Sequence, residues 1–394
     1  MSEIAPIISC YLFLTEDCNL KCKYCFENAS RCNNNYMSED IAEKSIDFLI
    51  DNALKHGDKN LTLTFFGGEP LLNLDVMIKL LHYAVDRAKQ NNIGLSFSLI
   101  TNGTIYNKQY EEFILEWNKA TNNVNIQIST DGIPEVQDKN RRTVNDQPTS
   151  EIVFKNIIKL KTFLEENNIC LSSFFIHSVV TKDSVSKLFS SYKYFKQLGV
   201  KYSEFVLANE EDWNENDIST YIEQMSLISD YIYEECISLD SLKPYKDAKG
   251  IISLRTSEVY KTTCSAGKSF CAITTNGDIY ACHRTYSLNR SFKMGDIFDG
   301  IIDNVNEQSI CQACRSDMNV DNVSCSKCEN PECIICMAYN YEKYGDVQKC
   351  SPSVCSMYKA KWKFMIETKK KFDKLSHKLS YNKCNEMTFV KAIN

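Results

Sequence analysis

The sequence predicts an α/β protein: a partial (β/α)6 barrel over residues 1–240, a cysteine-rich domain over 241–375 and a tail over 376–394. Three observations predict it. Six apolar, β-rich runs alternate with amphipathic stretches up to about residue 210, which is the pattern of a parallel sheet with helices outside it. Three thiols stand together at Cys18-x3-Cys22-x2-Cys25, directly after the first of those runs. Eleven of the 19 cysteines then crowd between Cys264 and Cys355.

The strands are expected at Ile7–Leu14, Leu61–Phe66, Ile93–Ile100, Val124–Ser129, Ile169–Val180 and Tyr202–Leu207. Helices are expected at Leu72–Lys89, Asn107–Trp117, Ser150–Glu166 and Lys187–Leu198, where apolar residues recur at helical spacing. Six units are too few for a closed eight-stranded barrel, so the sheet is read as open. Its site is expected at the C-terminal strand ends, as in closed barrels. Asn209–Asp240, acidic and then helical, reads as the bridge to the second domain, and Met357–Phe372 as a final basic-faced helix.

Composition narrows the function. The net charge of −6 disfavours a general nucleic-acid surface. No run approaches the length of an apolar membrane span, and the N-terminus has no basic region followed by an apolar one. A cytoplasmic protein is expected. Nineteen cysteines in such a chain point to metal ligation rather than disulfides. Cys10, Cys32, Cys170, Cys236 and Cys384 are scattered and read mostly as small buried hydrophobes.

Three thiols in one tight loop can hold three corners of a cubane iron–sulfur cluster, leaving one iron open to a ligand. A structural zinc site is the competing reading, but it wants four protein ligands and paired CxxC spacing. At the following strand ends stand Gly67-Gly68-Glu69-Pro70, Thr101-Asn102-Gly103 and Ser129-Thr130-Asp131-Gly132, with Asp138, Arg141 and Arg142 beyond. Each alone fits an ordinary β-to-α turn. Together they describe a pocket for a ligand bearing an amine, a carboxylate and a ribose.

Those motifs, in that order, resemble the radical S-adenosylmethionine (radical SAM) superfamily. The resemblance implies that Cys18, Cys22 and Cys25 hold a [4Fe–4S] cluster whose open iron binds S-adenosyl-L-methionine (SAM). It implies reductive cleavage to a 5′-deoxyadenosyl radical, with the electron coming from a flavodoxin or ferredoxin. It assigns Tyr24 and Phe26 to the cluster and adenine, Gly67, Gly68, Glu69 and Pro70 to the methionine amine, and Asn102 to the same pocket. Ser129 and Asp131 fall to the ribose and Arg141 to the carboxylate.

In the second half, Cys264-x12-Gly277-x4-Cys282 encloses Asn276-Gly277, a hairpin signature. This half resembles the SPASM extension of peptide-modifying radical SAM enzymes, which carries two auxiliary [4Fe–4S] clusters, three clusters in all. By resemblance, Cys264, Cys271, Cys282 and Cys336 would hold the first, and Cys325, Cys328, Cys333 and Cys355 the second. Cys311, Cys314 and Cys350 are left over. A zinc ribbon on four of these thiols is the competing reading. Within that group, sulfatase maturases carry an aspartate after the last hairpin cysteine. Here His283 stands there, a candidate base or a plain hairpin-end residue. The resemblance favours thioether formation in a ribosomally made, Cys-containing precursor peptide, with formylglycine formation or peptide epimerisation as alternatives. An iron–sulfur electron carrier is the non-enzyme alternative. Only 17 residues precede Cys18, so leader recognition is expected to need another surface or a separate leader-binding protein.

Overall fold

The computed structural model describes residues 7–27, 34–248, 251–252, 264–288, 292–301, 330, 336–346, 349 and 351–393, with side chains to Leu379. In chain order, β1 (Ser9–Thr15) and the short β2 (Leu20–Cys22) precede α1 (Glu39–His56). Then follow β3 (Asn60–Gly67), α2 (Leu74–Gln90), β4 (Gly94–Thr101), α3 (Lys108–Thr121) and β5 (Ile126–Ser129). The barrel continues through α4 (Pro134–Asn140), β6 (Arg141–Thr143), α5 (Ser150–Glu166), β7 (Phe174–Val180), α6 (Leu188–Gln197) and β8 (Ser203–Leu207). The long α7 (Glu215–Ser238) and the short α8 (Lys243–Asp247) close the first half. The second half shows β9 (Phe270–Ile273), β10 (Asp278–Tyr280), α9 (His283–Leu288), β11 (Lys293–Asp296) and β12 (Gly300–Ile301). It ends in α10 (Met337–Tyr344) and α11 (Pro352–Ile393).

Strands β1, β3, β4, β5, β7 and β8 lie side by side in that order, every neighbouring pair parallel. All six expected strands are present. The fifth is shorter than expected, because Leu171–Ser173 forms a 3-10 turn before β7 begins. Helix α1 was not anticipated. Ser38 caps it, Glu39 and Asp40 occupy its first turn, and Ala42, Ile46, Leu49, Ile50 and Ala53 form its buried stripe. The final helix runs from Pro352 to Ile393, past both ends of the expected one.

The sheet packs apolar side chains on both faces. On the outer face Phe65 and Phe97 stack at 5.5 Å beneath Phe113 and Trp117 of α3, with Trp117 edge-on to both. The inner face carries Tyr11, Phe13, Phe66 and Ala272 in a smaller apolar cluster. The hairpin predicted around Asn276-Gly277 is present, with Ile279 opposite Ile273 and Gly277 at φ +88°. It is not detached from the barrel. Strand β9 pairs in parallel with β1, so β1 gains a partner on its open edge and one ten-stranded sheet spans both halves.

Candidate active site

Cys18, Cys22 and Cys25 lie on the loop that leaves β1, and the loop is held at both ends. Gly68 donates its N–H to Thr15 O (3.0 Å) and Glu69 to Asp17 O (2.9 Å). A Cβ at Gly67 would meet Thr15 O at 2.1 Å, and one at Gly68 would meet Asp17 O at 2.2 Å. The two glycines therefore let the cysteine loop press its backbone onto the end of β3. On the other side, β2 pairs antiparallel with β6, placing Cys22 opposite Arg141.

The three thiols line one cavity of about 390 Å³. Burial raises the pKa of Cys18, and the Glu69, Cys22 and Cys25 charges raise it further. Burial also pushes Cys22 up to about 11, opposed by the Arg141 guanidinium. Thiols crowded in this way favour a further cation among them, which bound iron would supply. Cys18 Sγ already accepts from Leu20 N at 3.4 Å and from Asn102 Nδ2 at 3.7 Å. Such N–H···S contacts suit a cluster thiolate, so the donor set fits an iron–sulfur centre.

The strand-end residues divide into those facing the cavity and those behind it. Tyr24, Phe26, Gly67, Gly68, Asn102, Ser129 and Arg141 face it. Glu69 lies behind the glycines, fully buried, where it accepts from Thr101 Oγ1 (2.8 Å), Asn102 N (2.7 Å) and Leu71 N (3.2 Å). Burial lifts it to about 7 against those three donors. Its carboxylate thus ties the end of β3 to that of β4, and Pro70 starts the turn that it caps. Asp131 also stands behind, accepting from Tyr24 Oη and from Arg141 Nε at 3.0 Å. Burial works most strongly against the Arg141 charge, but Asp131, Tyr24 and Cys22 together outweigh it and the guanidinium pKa is raised. Asp131 positions Tyr24 and Arg141, which stack at 5.3 Å.

The hairpin brings the second half to the same cavity. His283 and Arg284, at the start of α9, both line it. The His283 ring stacks on Tyr11 at 5.0 Å and meets Phe66 at 5.1 Å and Phe26 at 5.4 Å. Its Nδ1 is buried with no hydrogen-bond partner. Burial, with Arg284 alongside, lowers its pKa to about 3. Arg284 lies over Phe26 (4.8 Å), pairs with Glu210 at 2.5 Å and approaches Glu342 at 3.5 Å. Glu16, two residues before Cys18, accepts from Tyr286 and from Thr275 Oγ1 (3.3 Å), a second tie between the halves.

Of the second-half thiols, Cys264, Cys282 and Cys336 come close enough that their charges act on one another. Burial raises both Cys264 and Cys282, the latter to about 11. Cys271 is placed differently. It is fully buried opposite Cys10 on β1, and the two free thiols are hydrogen-bonded to each other. Cys355 lies in the first turn of α11. Cys325, Cys328, Cys333, Cys311, Cys314 and Cys350 lie outside the described residues. The sequence reading missed Tyr11, Gln127 and His177, which also line the cavity. A polar residue at an inward position of an otherwise apolar strand was the available signal for Gln127 and His177.

Residues 12–189 match the family model described as the radical SAM superfamily. The chain carries a radical SAM domain. The radical SAM cyclopropyl synthase TigE of Paramaledivibacter caminithermalis is 26% identical over 385 residues, which cover 91% of this chain and 74% of TigE. A cysteine-type anaerobic sulfatase-maturating enzyme of Clostridium novyi is 29% identical over about half of each chain, 49% and 48%. Among solved structures, anSMEcpe with bound AdoMet aligns at TM-score 0.69 and 20% identity, covering 96% of this chain and 99% of that one. Streptococcus suis SuiB bound to precursor peptide SuiA aligns at TM-score 0.59 and 17% identity, covering 89% and 76%. These structural likenesses establish the fold, a radical SAM α/β sheet that the second half extends. The match places a radical SAM domain in residues 12–189, and that family's chemistry uses SAM and a [4Fe–4S] cluster. Among the described residues, no helix is long and apolar enough to cross a membrane.

Proposed function

We propose that this enzyme modifies a ribosomally made, cysteine-containing peptide, joining a substrate cysteine sulfur to a carbon of the same peptide. One observation carries the reading. The Cys18–Cys22–Cys25 loop and the His283–Arg284 segment after Cys282 face one cavity, so a peptide held there lies between two groups of thiols. The first trio, with Tyr24, Phe26, Gly67, Gly68, Asn102, Ser129 and Arg141 around it, would hold the cluster and SAM. Cys264, Cys282 and Cys336 would hold one auxiliary cluster, and Cys325, Cys328, Cys333 and Cys355 the other. Bound SAM supplies a radical that abstracts a carbon-bound hydrogen, and an auxiliary cluster supplies an electron acceptor.

The chain's own residues prepare the site. Asp131 and Glu69 fix its rim from behind, and the ring stack of Tyr11, Phe66 and His283 excludes water from one wall. Arg284 clamps α9 to Glu210 and Glu342 across the mouth. SuiB and anSMEcpe have both been solved with peptides, which supports a peptide substrate. A second reading is carbon–carbon ring closure, favoured because the relative that spans 91% of this chain is named a cyclopropyl synthase.

One incubation separates the readings. The reconstituted, dithionite-reduced protein is given SAM and a synthetic Cys-containing peptide, and the product is alkylated with iodoacetamide. A thioether removes about two hydrogens and one alkylatable thiol. Ring closure between carbons removes the hydrogens and leaves every thiol. Loss of the sulfur itself, in a sulfatase-type peptide, indicates formylglycine. An unchanged peptide in every case contradicts the proposal.

A further inference from the structure

The cavity has two unlike walls. On the β1 and β3 side stand Tyr11 and Phe66, with the His283 ring between the strands and Phe26. On the β5 and β7 side stand Gln127, Ser129, His177 and Val179. Strand register makes the second wall a continuous row. Ser129 lies opposite His177 across β5 and β7, and His177 lies opposite Glu204 across β7 and β8. His177 Nδ1 sits 3.4 Å from Glu204 Oε2, with side-chain exposures of 26% and 29%. No closer hydrogen-bond partner of that nitrogen exists among the described residues. The His177 side chain lines the cavity, and nothing else in the row carries an imidazole.

Bond formation by the proposed chemistry, to sulfur or to carbon, removes two hydrogens from the peptide. One leaves as a hydrogen atom, taken up by the SAM-derived radical. The other leaves as a proton, and the remaining electron passes to an iron–sulfur cluster. The proton needs an acceptor within reach of the reacting carbon or sulfur. Two histidines line the cavity. His283 is packed among aromatic rings beside the Arg284 cation, and among the described residues no carboxylate pairs with it. A cation formed there would face another cation. His177 has a carboxylate behind one nitrogen, the arrangement that orients an imidazole and stabilises its protonated form. The 3.4 Å separation is of the loose kind that tightens when substrate fills a site.

Resting on the peptide-modifying reading above, we propose that His177, positioned by Glu204, takes this proton. His177 is the catalytic base, and its other nitrogen meets the substrate acid, a thiol or an acidic C–H. Glu204 acts through His177 and is a positioning residue. The neighbouring Ser129, expected beside the ribose, places His177 next to the reacting end of the cofactor rather than at the cavity mouth.

The test compares wild type with H177Q, E204Q and E204D, each checked for iron content and circular dichroism. The probe is a synthetic Cys-containing peptide that wild type modifies. Modified peptide per 5′-deoxyadenosine should fall about 100-fold in H177Q while SAM is still cleaved. It should fall about 10-fold in E204Q and largely recover in E204D. A structural defect would instead lower cleavage and product together, and that result overturns the proposal. So does an H177Q ratio within about two-fold of wild type, well inside the loss expected of a missing base. A readout independent of turnover is carbethoxylation by diethylpyrocarbonate, mapped by mass spectrometry. His177 should be labelled in the free enzyme and protected by the peptide, and labelling unaffected by peptide overturns the placement. Wild type that modifies no peptide defeats the functional reading itself, and this proposal falls with it.

Discussion

The two groups of thiols differ in how the chain assembles them. Cys18, Cys22 and Cys25 come from one loop, eight residues from first to last, pinned onto β3 by a pair of glycines that tolerate its backbone. Cys264, Cys282 and Cys336 come from three segments, brought together because β9 docks on the open edge of β1 and α9 packs near α10. The first group is a local motif; the second exists only once the sheet has formed. A local group survives damage to the rest of the chain better than an assembled one, and that contrast can be tested.

The largest expected effect separates the two. Replacing Cys18, Cys22 and Cys25 together with alanine should abolish SAM cleavage, read as 5′-deoxyadenosine by chromatography. Replacing Cys264, Cys282 and Cys336 should lose iron and peptide product while leaving SAM cleavage. If both triples behave alike, the two groups are not separate centres. Next comes Arg141→Ala, which strands the fully buried Asp131 carboxylate, whose side chain is 0% exposed. It should cost about 3–5 kcal/mol in urea unfolding and loosen Tyr24. Trp117→Ala, far from both groups, should cost a similar ~3–5 kcal/mol yet leave iron content intact, which separates stability from ligation. Cys271→Ser sharpens the comparison further. Since Cys271 is hydrogen-bonded to Cys10 rather than joining the assembled group, the substitution should keep that group's iron and cost about 1–3 kcal/mol for a poorly paired buried hydroxyl. Loss of iron would make Cys271 a ligand after all. The smallest effect belongs to Arg284→Ala. Its partner Glu210 is 41% exposed, so stability should change by less than about 1 kcal/mol, with the consequence seen in KM for the peptide.

What the sequence made legible follows the same division. All six barrel strands and the three strand-end motifs could be read from it, because period-2 apolar runs and Gly-rich turns are local signals. The roles of Glu69 and Asp131 were not, since a carboxylate beside a ligand and one that braces the wall behind it look identical in a string. Cys271 was placed with Cys264 and Cys282 by resemblance, whereas register across β1 and β9 sets it opposite Cys10. His177 and Glu204 are 27 residues apart, and only the parallel pairing of β7 with β8 makes them neighbours. Helix α1 carried a readable cap, Ser38, and a readable apolar stripe, but it follows the cysteine motif closely and was passed over for it.

The most direct test follows a labelled hydrogen. The Cys-containing peptide is made with deuterium on its side-chain and α-carbons and incubated anaerobically with the reduced enzyme and SAM. If the cavity holds peptide and cofactor together as described, deuterium appears in 5′-deoxyadenosine and the peptide loses the matching label as its new bond forms. Unlabelled 5′-deoxyadenosine alongside an unchanged peptide would contradict the account.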